Sequence, residues 1–235
     1  MSSSHAIRSN NIGVDFFEVG LLEQAAAKFQ AAVGQMADLL LSSDAPTACW
    51  SVPDDATEVQ YKQPIIGWSK PCQSRLSAVS EGIRVYKRAA YLNPSFSPFG
   101  IATYTAVPLF NLGLCNHMIA LRDDCPVQLE RASKIYEAVM GSIEECRPYD
   151  DTNFLLLHLA LFTNCGHVIS HQFNNRQGAM ECFETCCRIL TWLNIRNAAL
   201  LVLDEDEVEE LMCNMGALLV HKTLEVDNGV GAAAA

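Results

Sequence analysis

Residues 11–32 read NIGVDFFEVGLLEQAAAKFQAA, and this stretch decides the fold. Apolar side chains recur at helical spacing on both sides of Gly20. Ile7, Ile12, Phe16 and Val19 precede it, and Leu22, Ala25, Phe29, Ala32, Val33, Met36 and Leu40 follow it. Gly20 supplies a helix stop. With almost nothing between the two helices, 6–19 and 21–41, they must fold back as an antiparallel hairpin. The small residues have a steric purpose: Gly13 and Ala25 let two backbones approach, Phe16 and Phe29 fill the space between them, and Ala32 leaves room for a neighbouring pair.

The same pattern returns further along the chain. A second copy starts Asn111-Leu112-Gly113, with Leu129, Ala132, Tyr136 and Val139 on its second helix. A third starts Asn164-Cys165-Gly166, with Ile169, then Ala179, Phe183 and Cys186. The starts lie 100 and 53 residues apart (111 − 11 and 164 − 111). In order and spacing, the first copy resembles the tetratricopeptide repeat. Regular repeats of that family come about every 34 residues, so this chain resembles a degenerate array carrying insertions. The resemblance covers about two-thirds of the chain and leaves out 42–98 and 195–235.

The expected fold is therefore all-α: a tetratricopeptide-like right-handed superhelix of antiparallel helix pairs, with a long inserted loop or short hairpin. We read one domain over 1–228, with the insert at about 42–98 and a flexible tail at 229–235. Prolines 46, 53, 64, 71, 94 and 98 break the helical pattern of the insert. Within it 61–68 looks extended, and 82–92 fits either a strand or a helix. Further helices are expected over 99–121, with Pro108 a kink or a true start, over 126–143, from just after the Asp150-Asp151-Thr152 group to about 173, and over 179–193 and 205–223. The last, with Leu211, Met215, Leu218 and Leu219, would cap the array.

The resemblance implies a concave face, lined mainly by the first helix of each pair, that binds a protein partner. Carried across, that face is Val14, Phe17 and Glu18 from copy one, Leu114, His117 and Met118 from copy two, and His167, Ser170 and His171 from copy three. Some members of the family grip acidic chaperone tails with a Lys/Asn/Arg clamp. The matching positions here are Asn10, Val14, Asn111, Ala160 and Asn164, without a cation to pair with a carboxylate, so that ligand is disfavoured.

Composition narrows the function further. Half of the 235 residues are hydrophobic and 18% are charged, which excludes a disordered tail. A chain of this length buries roughly 70–75% of its unfolded surface and needs no metal or disulfide. The net charge is −11 and Lys and Arg are not clustered, which argues against nucleic acid and against an anionic membrane. The N-terminus lacks a signal-peptide core, and apolar runs such as 154–162 read as too short for a bilayer. The expectation is a cytoplasmic protein, with the nucleus left open, whose ten cysteines are reduced and include no C-x-x-C pair.

Two arrangements suggest chemistry. His167 and His171 sit one helical turn apart, with Cys182, Cys186 and Cys187 on the partner helix. Val168 stands where a zincin would carry its glutamate, and groove histidines and packed thiols are the simpler reading. The acidic run 204–210 lacks the spacing of a calcium loop and suits a helix N-terminus. No phosphate-binding loop, nucleophile elbow or catalytic carboxylate pair is present. The expected function is thus a non-catalytic interaction module without cofactor. A small metal- or thiol-dependent enzyme built on the His/Cys cluster is the alternative, and self-association stays open.

Overall fold

A computed structural model describes residues 3–42, 66–73, 79–80, 83–93, 100–144, 152–173, 175–195, 203, 208–209, 211–214 and 216. The described chain is mostly helical. Its helices are α1 (Ser3–Glu18), α2 (Leu22–Ser42), α3 (Gly100–Asp123), α4 (Pro126–Glu144), α5 (Thr152–Phe173) and α6 (Arg176–Ile195). Residues 208–209, 211–214 and 216 are also helical. Short strands fall in the insert: β1 (Ile66–Trp68), β2 (Val79–Ser80), β3 (Ile83–Arg84) and β4 (Ala90–Leu92). The remainder of the insert, the tail and most of the expected 205–223 helix lie outside the described residues.

The helix boundaries have local causes. Gly20 adopts φ 80°, and the Leu21 amide donates to the Phe16 carbonyl, closing α1. Asp124, with φ 49°, turns the chain between α3 and α4, and Pro126 then occupies a first-turn position where no N–H is needed. The Asn175 side-chain oxygen accepts from the Gly178 amide at 3.0 Å and caps α6. Pro108 lies inside α3 and does not start it.

The contacts gather into two compact units. The first comprises Met1–Leu76 and Lys87–Leu157, the second Ser77–Tyr86 and His158–Ala235. In the first unit α1 packs on α2, α2 on α3, and α3 on α4, around buried Phe17, Leu22, Phe29, Phe110, Leu114 and Tyr136. β1 pairs antiparallel with β4, Ile66 facing Leu92 and Trp68 facing Ala90. β4 packs on α1 and α3. In the second unit α6 covers α5 through Phe183 and Cys186, and β2 pairs antiparallel with β3.

The glycine–aromatic packing repeats in all three pairs. A Cβ at Gly13 would lie 2.6 Å from Phe29, one at Gly113 would lie 2.8 Å from Tyr136, and one at Gly166 would lie 2.6 Å from Phe183. In each case a helix backbone rests directly on a ring of the following helix, and only glycine leaves that space. Ala25, Ala32, Ala132 and Ala179 are completely buried, while Phe16 is half-buried.

One helical segment among the described residues, Thr152–Gln172, is long and apolar enough to cross a bilayer, a longer stretch than the sequence reading of 154–162 allowed for. Burial accounts for its composition, since 78% of its most apolar window lies inside the protein.

Candidate functional site: asparagines on an extended backbone

Asparagine offers one amide donor and one carbonyl acceptor, the same pair of groups that a neighbouring β-strand would present. In the first unit two such side chains serve as a substitute strand. Asn111, from α3, accepts from the Ala90 amide at 2.8 Å and donates to the Ala90 carbonyl at 2.8 Å. Asn11, from α1, accepts from the Leu92 amide at 2.9 Å and donates to the Leu92 carbonyl at 2.9 Å. Asn10 donates a further bond to the Ala90 carbonyl at 3.0 Å, and its own oxygen accepts from Asn111 at 2.9 Å.

The other edge of the same segment is satisfied by backbone. The Ser69 amide donates to the Ala89 carbonyl, the Cys72 amide donates to the Lys87 carbonyl, and the β1 pairing continues the ladder. Successive residues of an extended chain point their peptide groups to opposite edges. Residues 87 and 89 therefore face the 66–72 strand, whereas 90 and 92 face the asparagines. Ala89, Ala90 and Leu92 are buried, so each of these bonds replaces an otherwise unmet donor or acceptor at about 1–3 kcal/mol per group.

The second unit repeats the device. Asn164, from α5, accepts from the Tyr86 amide at 2.8 Å and donates to its carbonyl at 3.3 Å. Asn214 accepts from the Arg84 amide at 2.7 Å and donates to its carbonyl at 3.0 Å. Three of the four clamping residues that make a donor–acceptor pair head the Asn-x-Gly starts read from the sequence. The fourth, Asn214, heads a further tripeptide of the same form, Asn214-Met215-Gly216, inside 195–235, which the repeat resemblance leaves out. The tripeptide itself was the available signal.

The residues expected on the binding face are placed as follows. Val14, Phe17, Leu114, His117 and Met118 are completely buried, and His167 and Ser170 nearly so. His117 Nδ1 lies 3.3 Å from the Tyr136 hydroxyl. The His167 and His171 rings stack with centroids 5.8 Å apart, and His171 is exposed. Glu18 meets the extended segments: it accepts from the Lys70 amide at 2.9 Å and from the Tyr91 hydroxyl at 3.4 Å. Tyr91 also donates to Asp15 at 3.0 Å, and burial together with that bond raises its phenol above the usual range.

The His/Cys cluster has the electrostatics of packing. Burial lowers His167 to about 3, with His171 adding to the effect, so its imidazole is neutral at pH 7. Burial pushes Cys186 up to about 12 and Cys182 up to about 11, the opposite of what an activated thiol needs. Cys186 instead packs on α5, 3.5 Å from the Thr163 hydroxyl. Among the described residues no three His, Cys, Asp or Glu side chains converge on a metal position. No family model, curated protein or solved structure matches this chain.

Proposed function

We propose that this chain is a non-catalytic interaction module whose helix pairs are of the tetratricopeptide kind, stacking in a right-handed superhelix and meeting a protein partner through the face formed by the first helix of each pair. One observation supports the reading above others. Three Asn-x-Gly starts carry the same pair of contacts, the glycine backing onto the ring of the next helix and the asparagine holding an extended backbone. A face built to satisfy the peptide groups of an extended segment is suited to recognising polypeptide.

The raised thiols and the absence of a three-ligand cluster among the described residues weigh against the enzyme alternative. The burial of Thr152–Gln172 agrees with a protein that works in solution, and the cytoplasm is the proposed compartment. The test is affinity capture from native extract with the purified full chain, followed by reconstitution with the isolated partner. A saturable one-to-one complex is expected. A stoichiometric metal in the purified protein, together with failure to reconstitute any complex, would replace this reading with the metal-dependent alternative.

A further inference from the structure

The asparagine edge in the first unit is already occupied, and by the protein itself. We propose that Asn11 and Asn111, facing the 66–72 strand, form a slot for an extended polypeptide segment, that residues 87–93 are its resident occupant, and that a partner's extended segment of pattern Ala-Ala-x-Leu takes the same slot by displacing it. This proposal rests on the interaction-module reading and names its ligand class and its control.

The resident segment itself defines the ligand chemistry. All five asparagine-edge bonds to Ala90 and Leu92 involve main-chain groups, which any extended chain offers. Side-chain selection comes from burial: Ala89 and Ala90 admit only small residues and Leu92 fills an aliphatic site, whereas Tyr91 is half-buried and points its hydroxyl to Asp15 and Glu18. The two alanines also make the resident replaceable. They contribute little apolar area of their own, so the segment is held by its main-chain bonds and by the buried Leu92 side chain, and a competitor of the same pattern reproduces both. Release of the resident and entry of a competitor are then one exchange, and apparent affinity is reduced by the fraction of time the slot is closed.

The probe is a fluorescein-labelled synthetic peptide with the sequence of residues 85–94, added to the full chain. The Ala90→Pro variant removes the resident's N–H to Asn111 while leaving the slot residues unchanged. It is expected to bind the probe ~10-fold more tightly than the wild type does, because its slot is open more of the time. Adding Asn111→Ala to that variant is expected to abolish the gain. In the wild type, hydrogen exchange is expected to show the Ala90 and Leu92 amides opening while α1 and α3 stay protected.

Several results would overturn the proposal. One is an Ala90→Pro protein with unchanged helical circular dichroism that binds the probe no better than wild type. Another is loss of that helical signal, which would make 87–93 a fixed part of the core. A third is protection of Ala90 and Leu92 equal to that of the helices. A wild-type dimer dissolved by the probe would make a second copy the occupant and overturn the proposed partner. One-to-one capture of a partner without any probe exchange would reject the slot while leaving the interaction-module reading in place. Failure of both would reject both.

Discussion

Replacing Asn111 with alanine removes three bonds at a completely buried position. The Ala90 amide loses its 2.8 Å acceptor and Asn10 loses its 2.9 Å donor. The Ala90 carbonyl retains the Asn10 bond at 3.0 Å, so it is only partly deprived. An orphaned buried group costs about 1–3 kcal/mol, so two of them, together with the small void, amount to roughly 2–5 kcal/mol. For a domain of about 150–250 residues each kcal/mol moves the melting temperature by roughly 2–4 °C, which gives a fall of roughly 4–20 °C. Asn11 provides the internal control. It makes the same pair of bonds, to Leu92, but is half-buried, so water can replace part of what alanine removes. Asn11→Ala should cost only about 1–2 kcal/mol. Scanning calorimetry of the two variants decides the matter. A fall for Asn111→Ala smaller than that for Asn11→Ala would refute the claim that these side chains stand in for a buried strand edge.

Gly113→Ala should destabilise the protein by about 1–3 kcal/mol, because the new methyl meets the Tyr136 ring at 2.8 Å, whereas Gly141→Ala meets nothing within 4 Å and should stabilise α4 by about 0.5–1 kcal/mol; opposite signs in urea titrations are the check. His167 is held near 3 in the folded chain and returns to about 6.5 when unfolded, so the unfolded state binds the extra proton between those values. Its contribution to stability is present above about pH 6.5 and is lost as pH falls toward 3, at up to about 1.4 kcal/mol per unit. His167→Phe should flatten that part of a stability-versus-pH curve, and an unchanged slope would mean that the imidazole is not shielded. Iodoacetamide applied to native protein should modify exposed Cys213 and spare buried Cys115 and Cys186; mass mapping reads this out, and early modification of Cys186 would contradict its burial. Ala25→Trp should destabilise the protein severely, by about 1–3 kcal/mol or more, since Ala25 is completely buried at the α1–α2 contact.

The helices were legible because their causes are local. Apolar residues every three or four positions, Gly20 at the first turn and Pro126 in the first turn of α4 each act within a few residues, and the observed boundaries follow them closely. The small and aromatic positions were legible for the same reason, but their partners were not: the sequence pattern matches Gly13 with Ala25 and Phe16 with Phe29, whereas Gly13 rests on the Phe29 ring, Gly113 on Tyr136 and Gly166 on Phe183. The segment 83–92 was not decidable in this way. Its alternation of side chains fits a strand, while Ile83, Tyr86 and Ala89 also fit a helix, and no local term separates the two. Tertiary structure settles it as extended, because its peptide groups find partners about 80 residues away in Asn11 and Asn164 and about 130 residues away in Asn214. The same non-local requirement determined the role of the asparagines. Sequence placed them at the head of each repeat as markers. That they serve as a strand edge depends on which backbone comes to lie beside them, and that is fixed by packing across the chain.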